Sequence, residues 1–187
     1  GRAIELRVGL RQALGPDWPP DYCSELAITY MGQGAVNRRA GASDNAINDY
    51  GCAIELMVAL REALGRNWPT AYCVDLASLY TNLGNVHSEI GAKDLAINDY
   101  GHAIEMMQAV RLGSNWTPDL CSVLAGIHLN RSICFSDLGA EDQAIEDGDS
   151  AIELMEELRD ALGPQWLPDY QNRLAKTYFN RGTRLEG

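Results

Sequence analysis

No apolar stretch in the 187 residues approaches the ~20 needed to span a bilayer, and the opening Gly1-Arg2-Ala3-Ile4-Glu5 does not read as a signal peptide. No membrane partner is expected. Positive charge is scarce: 15 Lys and Arg face 26 Asp and Glu, for a formal charge of −11 and a pI near 4.6. Nucleic-acid and anionic-membrane surfaces need clustered Lys and Arg, so neither is expected as a partner. The five cysteines are an odd number without paired spacing, which excludes a disulfide scaffold and favours a reducing, cytoplasmic compartment. Aromatics are few at 7%, yet 46% of the residues are hydrophobic. A chain of this length buries most of its unfolded surface, so disorder and a collagen-like structure are excluded as well.

What the chain does have is internal repetition. Ala46-Ile47-Asn48-Asp49-Tyr50-Gly51-Cys52-Ala53-Ile54-Glu55-Leu56-Met57 returns fifty residues later as Ala96 to Met107, identical at ten of twelve positions. A third copy runs from Ala144 to Met155, and the chain opens on Ala3-Ile4-Glu5-Leu6. Trp18, Trp68, Trp116 and Trp166 step by 50, 48 and 50, as do Gly15, Gly65, Gly113 and Gly163, with a two-residue deletion before Gly113. A period of this size is the signature of a stacked array rather than of one central core.

Each unit reads as two helices, because apolar residues recur at three- and four-residue spacing and no alternating run of β-branched residues occurs. Ile47, Tyr50, Ala53, Ile54 and Met57 fall on one stripe. Asp44, Asp94 and Asp142 stand at or just inside the start of that helix, where a carboxylate favours the free amides. Gly65, Gly113 and Gly163 suit a left-handed cap at its end. A short Trp-Pro connector follows, whose proline fits the first turn of the next helix. That helix is expected over about Pro20–Ala40, Thr70–Ile90, Pro118–Leu138 and Pro168 to near Arg184, and Gly41-Ala42, Gly91-Ala92 and Gly139-Ala140 turn it back into its partner.

These residues resemble the tetratricopeptide repeat family. An aromatic, a small residue four later, then an alanine, an aromatic and an alanine on the second helix appear as Tyr30, Gly34, Ala46, Tyr50, Ala53 and as Tyr80, Gly84, Ala96, Tyr100, Ala103. A third unit carries His128, Ser132, Ala144, Gly148 and Ala151, and a fourth begins with Tyr178 and Gly182. The small residue lets helix axes approach to ~8 Å while an aromatic fills the interstice. The resemblance implies an all-α, right-handed solenoid of antiparallel helix hairpins with about eight helices. The expected division is one array: a second-type helix with its connector (1–19), units 20–69, 70–117 and 118–167, and a first-type helix (168–187). Both ends then carry half a hairpin, so the chain is expected to be a piece of a longer array. The 48- to 50-residue period exceeds the family's usual 34, and the Trp-Pro connector lies outside its pattern.

In such arrays the first helix of each pair lines the concave side. Two residues after the Tyr/His position stand Gly32, Asn82, Asn130 and Asn180. Three of four resemble the family's asparagine ladder, which clamps the backbone of an extended peptide; an amide donates and accepts at once. The family's carboxylate clamp is matched at Asn85, Asn130 and Lys176, but Thr81 and Asn180 stand where basic residues are expected, which removes most of its charge-assisted bonding. Arg38 and Arg39 at one end and Arg181 and Arg184 at the other could favour an acidic ligand.

Other groups read as structural. Ten acidic residues and Arg159 lie between Asp137 and Asp160, consistent with a solvated convex face. Asp147-Gly148-Asp149-Ser150 matches mid-helix residues of the other copies rather than a calcium loop. Cys23, Cys73 and Cys121 are repeat-equivalent and so about 10 Å apart, beyond the ~7 Å bridging limit, and read as small buried thiols. His128 replaces a packing tyrosine and reads as a core histidine. No nucleophile, base and oxyanion donor converge, and no ligand pair has zinc spacing, so no catalytic residue, metal or cofactor is expected. The expectation is a non-catalytic scaffold binding an extended peptide through Asn82, Asn85, Asn130, Lys176 and Asn180. The alternative is a structural module that stacks head-to-tail through its uncapped terminal helices.

Overall fold

The computed structural model describes residues 2–15, 19–113 and 117–185. Among the described residues eight α-helices follow in order: α1 (Arg2–Leu14), α2 (Pro20–Arg39), α3 (Ser43–Leu64), α4 (Thr70–Glu89), α5 (Lys93–Arg111), α6 (Pro118–Asp137), α7 (Glu141–Leu162) and α8 (Pro168–Leu185). No strand occurs among the described residues, and none of their helices is long and apolar enough to cross a membrane. The fold is all-α.

Local sequence sets the boundaries. Proline occupies the first turn of α2 and α6, where its missing N–H costs nothing, and Thr117 caps α6 by accepting a hydrogen bond from the Leu120 N–H at 3.3 Å. Asp44, Asp94 and Asp142 lie in the first turns of α3, α5 and α7, but none of these helices has a side-chain cap bond. Their carboxylates act there through the helix dipole. Gly41, Gly91 and Gly139 take φ values of 74°, 80° and 73° at the hairpin turns. In the first turn the Ala42 N–H donates to the Asn37 carbonyl (2.9 Å) and the Gly41 N–H to Arg38 (3.0 Å), which closes a Schellman motif.

Gly65 and Gly163 also take positive φ (49°), as expected of a cap, and each opens a 3-10 turn. Gly113 departs from the expectation. α5 ends at Arg111, capped by Leu112 in the right-handed region, and Gly113 is not among the positive-φ glycines. The two-residue deletion shortens the last turn, so the cap falls before the glycine. Trp68 and Trp166 pack against Tyr72 and Tyr170 with ring centroids 5.3 and 5.6 Å apart, and Trp68 Nε1 donates to the Cys73 thiol at 3.0 Å. Trp18 and Trp116 lie outside the described residues.

The helices pair as α2/α3, α4/α5 and α6/α7, and successive hairpins stack into a solenoid. The backbones of α2 and α4, α4 and α6, and α6 and α8 approach one another, whereas those of α3, α5 and α7 do not, and these meet through side chains, Arg61 Nη1 to Met106 Sδ at 3.5 Å and Arg111 Nη2 to Glu157 at 2.6 Å. The even-numbered helices therefore form the crowded inner layer and the odd-numbered ones the splayed outer layer. A single apolar cluster runs through the stack, with Leu26, Tyr50, Met57, Leu76, Tyr100, Met107, Leu124 and Met155 each 2% exposed or less. Each fully buried Leu or Met contributes roughly 1.5–3 kcal/mol.

The glycine–tyrosine notch works as expected in two hairpins. A Cβ on Gly34 would lie 2.9 Å from Tyr50, and one on Gly84 2.9 Å from Tyr100. In α6/α7 the sequence has Gly148 at the tyrosine position and Ser132 at the glycine position, and the Ser132 hydroxyl donates to the Ala144 carbonyl at 2.6 Å.

One aspartate per hairpin is buried beside this notch and held by the inner helix. Asp49 accepts from Asn37 Nδ2 (2.7 Å), and Asp99 pairs with His87 Nδ1 (2.6 Å). Asp147 is held by His128 Nδ1 (2.8 Å) and by Arg131 through Nε and Nη2 (2.6 and 2.7 Å). Burial pushes the Asp99 carboxyl above its ordinary value, against the opposing bond from His87. Burial pushes Asp147 upward too, but the bonds from Arg131 and His128 outweigh it and hold that carboxyl below the ordinary value. Cys23 and Cys121 are buried thiols donating to the carbonyls of Leu56 and Leu154 at 3.5 and 3.2 Å. His128 is a core histidine, 7% exposed.

Candidate functional site

The inner layer brings two of the five expected peptide-binding residues into direct contact. Asn85 on α4 and Asn130 on α6 meet at 3.2 Å, Asn130 Nδ2 donating to Asn85 Oδ1. The same Oδ1 accepts from the Tyr100 hydroxyl at 2.8 Å, so the buried notch tyrosine of the outer helix orients the amide on the inner face. Burial also raises the Tyr100 phenol well above its usual range, which keeps it a neutral donor. With Asn85 Oδ1 accepting both bonds, the Asn85 NH2 group and the Asn130 carbonyl oxygen make no hydrogen bond among the described residues. Donor and acceptor thus stand side by side in a pocket of about 150 Å³ lined by Asn85, Ser88, Glu89, Tyr100, Asn130 and Ile133.

Asn82 is half-buried on α4 and makes no hydrogen bond among the described residues. The Asn85–Asn130 bond explains why: the residue one repeat before Asn85 is Ala35, so Asn82 finds no amide across its seam. Gly32 stands at the first rung with open space around it. Lys176 is exposed on α8 and has no carboxylate partner among the described residues. The side chains of Asn180 and Arg184 lie outside the described residues.

Three arginines suggested as groove-end charges have partners. Arg38 forms a forked pair with Glu89, its Nη2 at 2.6 Å and its Nε at 3.1 Å, which joins α2 to α4. Arg39 Nε donates to the Ala35 carbonyl at 3.2 Å. Arg181 pairs with Asp149 at 2.5 Å. Repeat-to-repeat bonds elsewhere do the same stitching: Lys93 to Asp137 at 2.7 Å and the Tyr170 hydroxyl to Asp119 at 2.7 Å.

A second and larger pocket, about 340 Å³, adjoins the first at Asn130 and is lined by Thr81, Val123, Gly126, Ile127, Leu129 and Arg173. Residue spacing had not singled these out, because the column differs in every repeat. Arg173 Nη1 donates to Ser122 at its carbonyl (3.3 Å) and hydroxyl (3.1 Å), which lays the guanidinium across the α6/α8 seam. Among the described residues no group of three or more His, Cys, Asp or Glu side chains gathers as a metal site would require.

No family model and no curated protein matches the sequence. Among solved structures, BtubC (BKLC) from P. vanneervenii aligns with a TM-score of 0.66 at 18% identity, covering 98% of this chain and 70% of that one. MamA aligns at 0.45 with 18% identity over 99% and 90% of the two chains. The de novo designed helical repeat protein DHR64 aligns at 0.42 with 15% identity over 99% and 94%. The likeness to BtubC is one of fold alone, and the other two are too remote in shape to add to it.

Proposed function

We propose that the chain is a tetratricopeptide-like array, organised in the units 20–69, 70–117 and 118–167, that serves as a non-catalytic scaffold and holds an extended peptide along its inner layer. The Asn85–Asn130 pair carries this reading. Its free NH2 group and free carbonyl oxygen match the C=O and N–H of one peptide unit, so the contact takes hold of backbone without reading side chains. Asn82 adds an unpartnered amide beside it, and Asn180 is the proposed next rung. Lys176 supplies a cation at the α8 end, where Arg184 is placed with it and Arg181 is available only at the expense of Asp149. Arg38 and Arg39 belong to the opposite end, with Arg38 available only at the expense of Glu89.

Affinity on this basis is on the order of micromolar, about −8 kcal/mol. Each amide removed costs about 0.5–1.5 kcal/mol. The test is titration of peptide pools against the wild type and the Asn82→Ala/Asn130→Ala double variant. Loss of binding by roughly five- to one-hundred-fold supports the reading, and equal affinity rejects it.

A second reading, head-to-tail stacking, draws on the exposure of α1 and α8. Leu6 and Leu10 are 67% and 44% exposed, although their repeat equivalents Leu56 and Leu60 are each 5% exposed under their hairpin partner. On α8, Phe179 and Tyr178 are 71% and 44% exposed. The outer-type α1 of one copy could cover the inner-type α8 of another. Light scattering that finds a strict monomer at millimolar concentration rejects it.

A further inference from the structure

One position of the inner helix changes its chemistry from seam to seam. Asp75 on α4, Val123 on α6 and Arg173 on α8 are repeat-equivalent. Val123 and Arg173 both line the 340 Å³ pocket, so their common position faces the groove. Asp75 is half-buried, has no hydrogen-bond partner among the described residues, and burial raises its carboxyl. Val123 is an apolar side chain 43% exposed. Arg173 has only neutral partners in Ser122, and the neighbouring cation Lys176 has no carboxylate either. Among the other cations, Arg7, Arg38, Lys93, Arg111, Arg131, Arg159 and Arg181 are each bonded to a carboxylate, while Arg39 and Arg61 also have only neutral partners. The groove therefore runs from an unpaired acid, through an apolar pocket, to two uncompensated bases.

Gly126 is the second observation. It is a mid-helix glycine, a choice that weakens a helix relative to alanine. Gly34 and Gly84 are explained by the tyrosines that would strike their Cβ atoms, but a Cβ on Gly126 would meet only Arg173 Nη1, at an ordinary 3.8 Å. Packing within the chain does not require the glycine. Its effect is to keep the pocket open, and Lys176 is its repeat equivalent on the next helix.

Resting on the peptide-scaffold reading, we propose that the partner is an extended segment with a basic side chain, a large apolar side chain and an acidic side chain in that order or its reverse, spaced about three residues apart. The apolar group fills the pocket over Gly126 between Val123 and Leu129. The basic group faces Asp75, and the acidic group faces Arg173 and Lys176. The spacing follows from inner helices packed 8–10 Å apart and an extended chain that advances about 3.3 Å per residue. The amides of Asn85 and Asn130 hold the backbone between these side chains.

The experiment measures fluorescence anisotropy with labelled peptides carrying Lys-Ser-Ser-Phe-Ser-Ser-Glu, the Phe→Ala form and a form with the Glu changed to Lys. Against the wild type, Phe→Ala is expected to weaken binding about tenfold or more. Gly126→Leu fills the pocket and is expected to weaken the Phe peptide about tenfold while leaving the Ala peptide unchanged. Val123→Gln, at a partly exposed position, is the second variant should the leucine unfold the array, with the same expected pattern. Arg173→Glu is expected to lose the Glu peptide and to gain the Lys form. Equal affinity for the Phe and Ala peptides, or no rescue by the charge exchange, overturns the inference. If Asn130→Ala still weakens every peptide alike in that case, the backbone-clamp reading survives without it; if Asn130→Ala also changes nothing, both fall.

Discussion

Gly84→Ala and Gly32→Ala add the same methyl group to the inner layer and are predicted to move stability in opposite directions. At Gly84 the new Cβ would lie 2.9 Å from Tyr100 Cε1, 3.0 Å from Cδ1 and 3.2 Å from Asp99 Cβ. Carbon atoms rest at about 3.5–4.0 Å, so something must shift by more than half an ångström. Tyr100 is 2% exposed, and its hydroxyl is tied to Asn85; Asp99 is tied to His87. Neither has an easy retreat, and overpacking of this kind costs about 1–3 kcal/mol. The alanine returns about 1 kcal/mol of helix propensity, leaving a net loss of up to about 2 kcal/mol. At Gly32 nothing lies within 4 Å of the added Cβ, so only the propensity gain of about 1 kcal/mol remains. Thermal unfolding followed by circular dichroism separates the two: with 2–4 °C per kcal/mol, Gly84→Ala melts below the wild type and Gly32→Ala above it. Because the Tyr100 hydroxyl orients Asn85, Gly84→Ala also weakens peptide binding. Equal stabilisation by the two substitutions would refute the notch.

The buried aspartates give a pH test with two signs. Asp147 has a folded-state carboxyl below its unfolded value, so its stabilisation is complete above ~4 and is lost as pH falls through the folded value. The stability gap between wild type and Asp147→Asn, from urea titration, is therefore widest near neutrality and closes in acid. Asp99 is raised, so its contribution is fully present below the unfolded value and lost as pH rises through the folded one; the wild-type advantage over Asp99→Asn shrinks as pH rises. Parallel slopes for the two variants contradict the assignment. Arg131→Met removes two charged bonds to Asp147 and costs about 1.5–3 kcal/mol, whereas Arg38→Met, at a largely exposed pair with Glu89, costs under about 1 kcal/mol; denaturant midpoints rank them. Cys52 is the one partly exposed thiol, held above its usual range by burial and by Glu55 and Asp49. It is expected to react first and slowly with a thiol reagent under native conditions, and simultaneous labelling of all five cysteines would contradict the packing.

The architecture was legible because the chain carries its own alignment: Tyr50 against Tyr100, Gly34 against Gly84, and Gly41-Ala42 against Gly91-Ala92 each mark a packing requirement met more than once. Gly113 escaped that logic because the deletion before it removes part of the last turn of α5. Polar satisfaction was harder to read. Asp49, Asp99 and Asp147 recur in register beside the packing position, which is a signal, but their partners are Asn37, His87 and the pair His128 with Arg131, with no common residue type. Asn85 and Asn130 were legible singly as groove amides. Their mutual bond and its dependence on Tyr100 need the relative placement of three helices. Val123, Gly126 and Arg173 were hidden for the opposite reason, since a column that changes chemistry at each step leaves no repeat signal. The mid-helix Gly126 was a weak hint, since Gly32 and Gly51 are equally open around an added Cβ.

The most direct test of the inner-layer account is an amide spectrum that maps side-chain NH2 resonances by nuclear magnetic resonance while peptide is added. Asn82, Asn85 and Asn130 are predicted to shift together and saturate at one affinity, while Asn45, Asn48 and Asn98 on the outer helices stay in place. Shifts confined to the outer-helix asparagines, with Asn85 and Asn130 unmoved by a bound peptide, would contradict it.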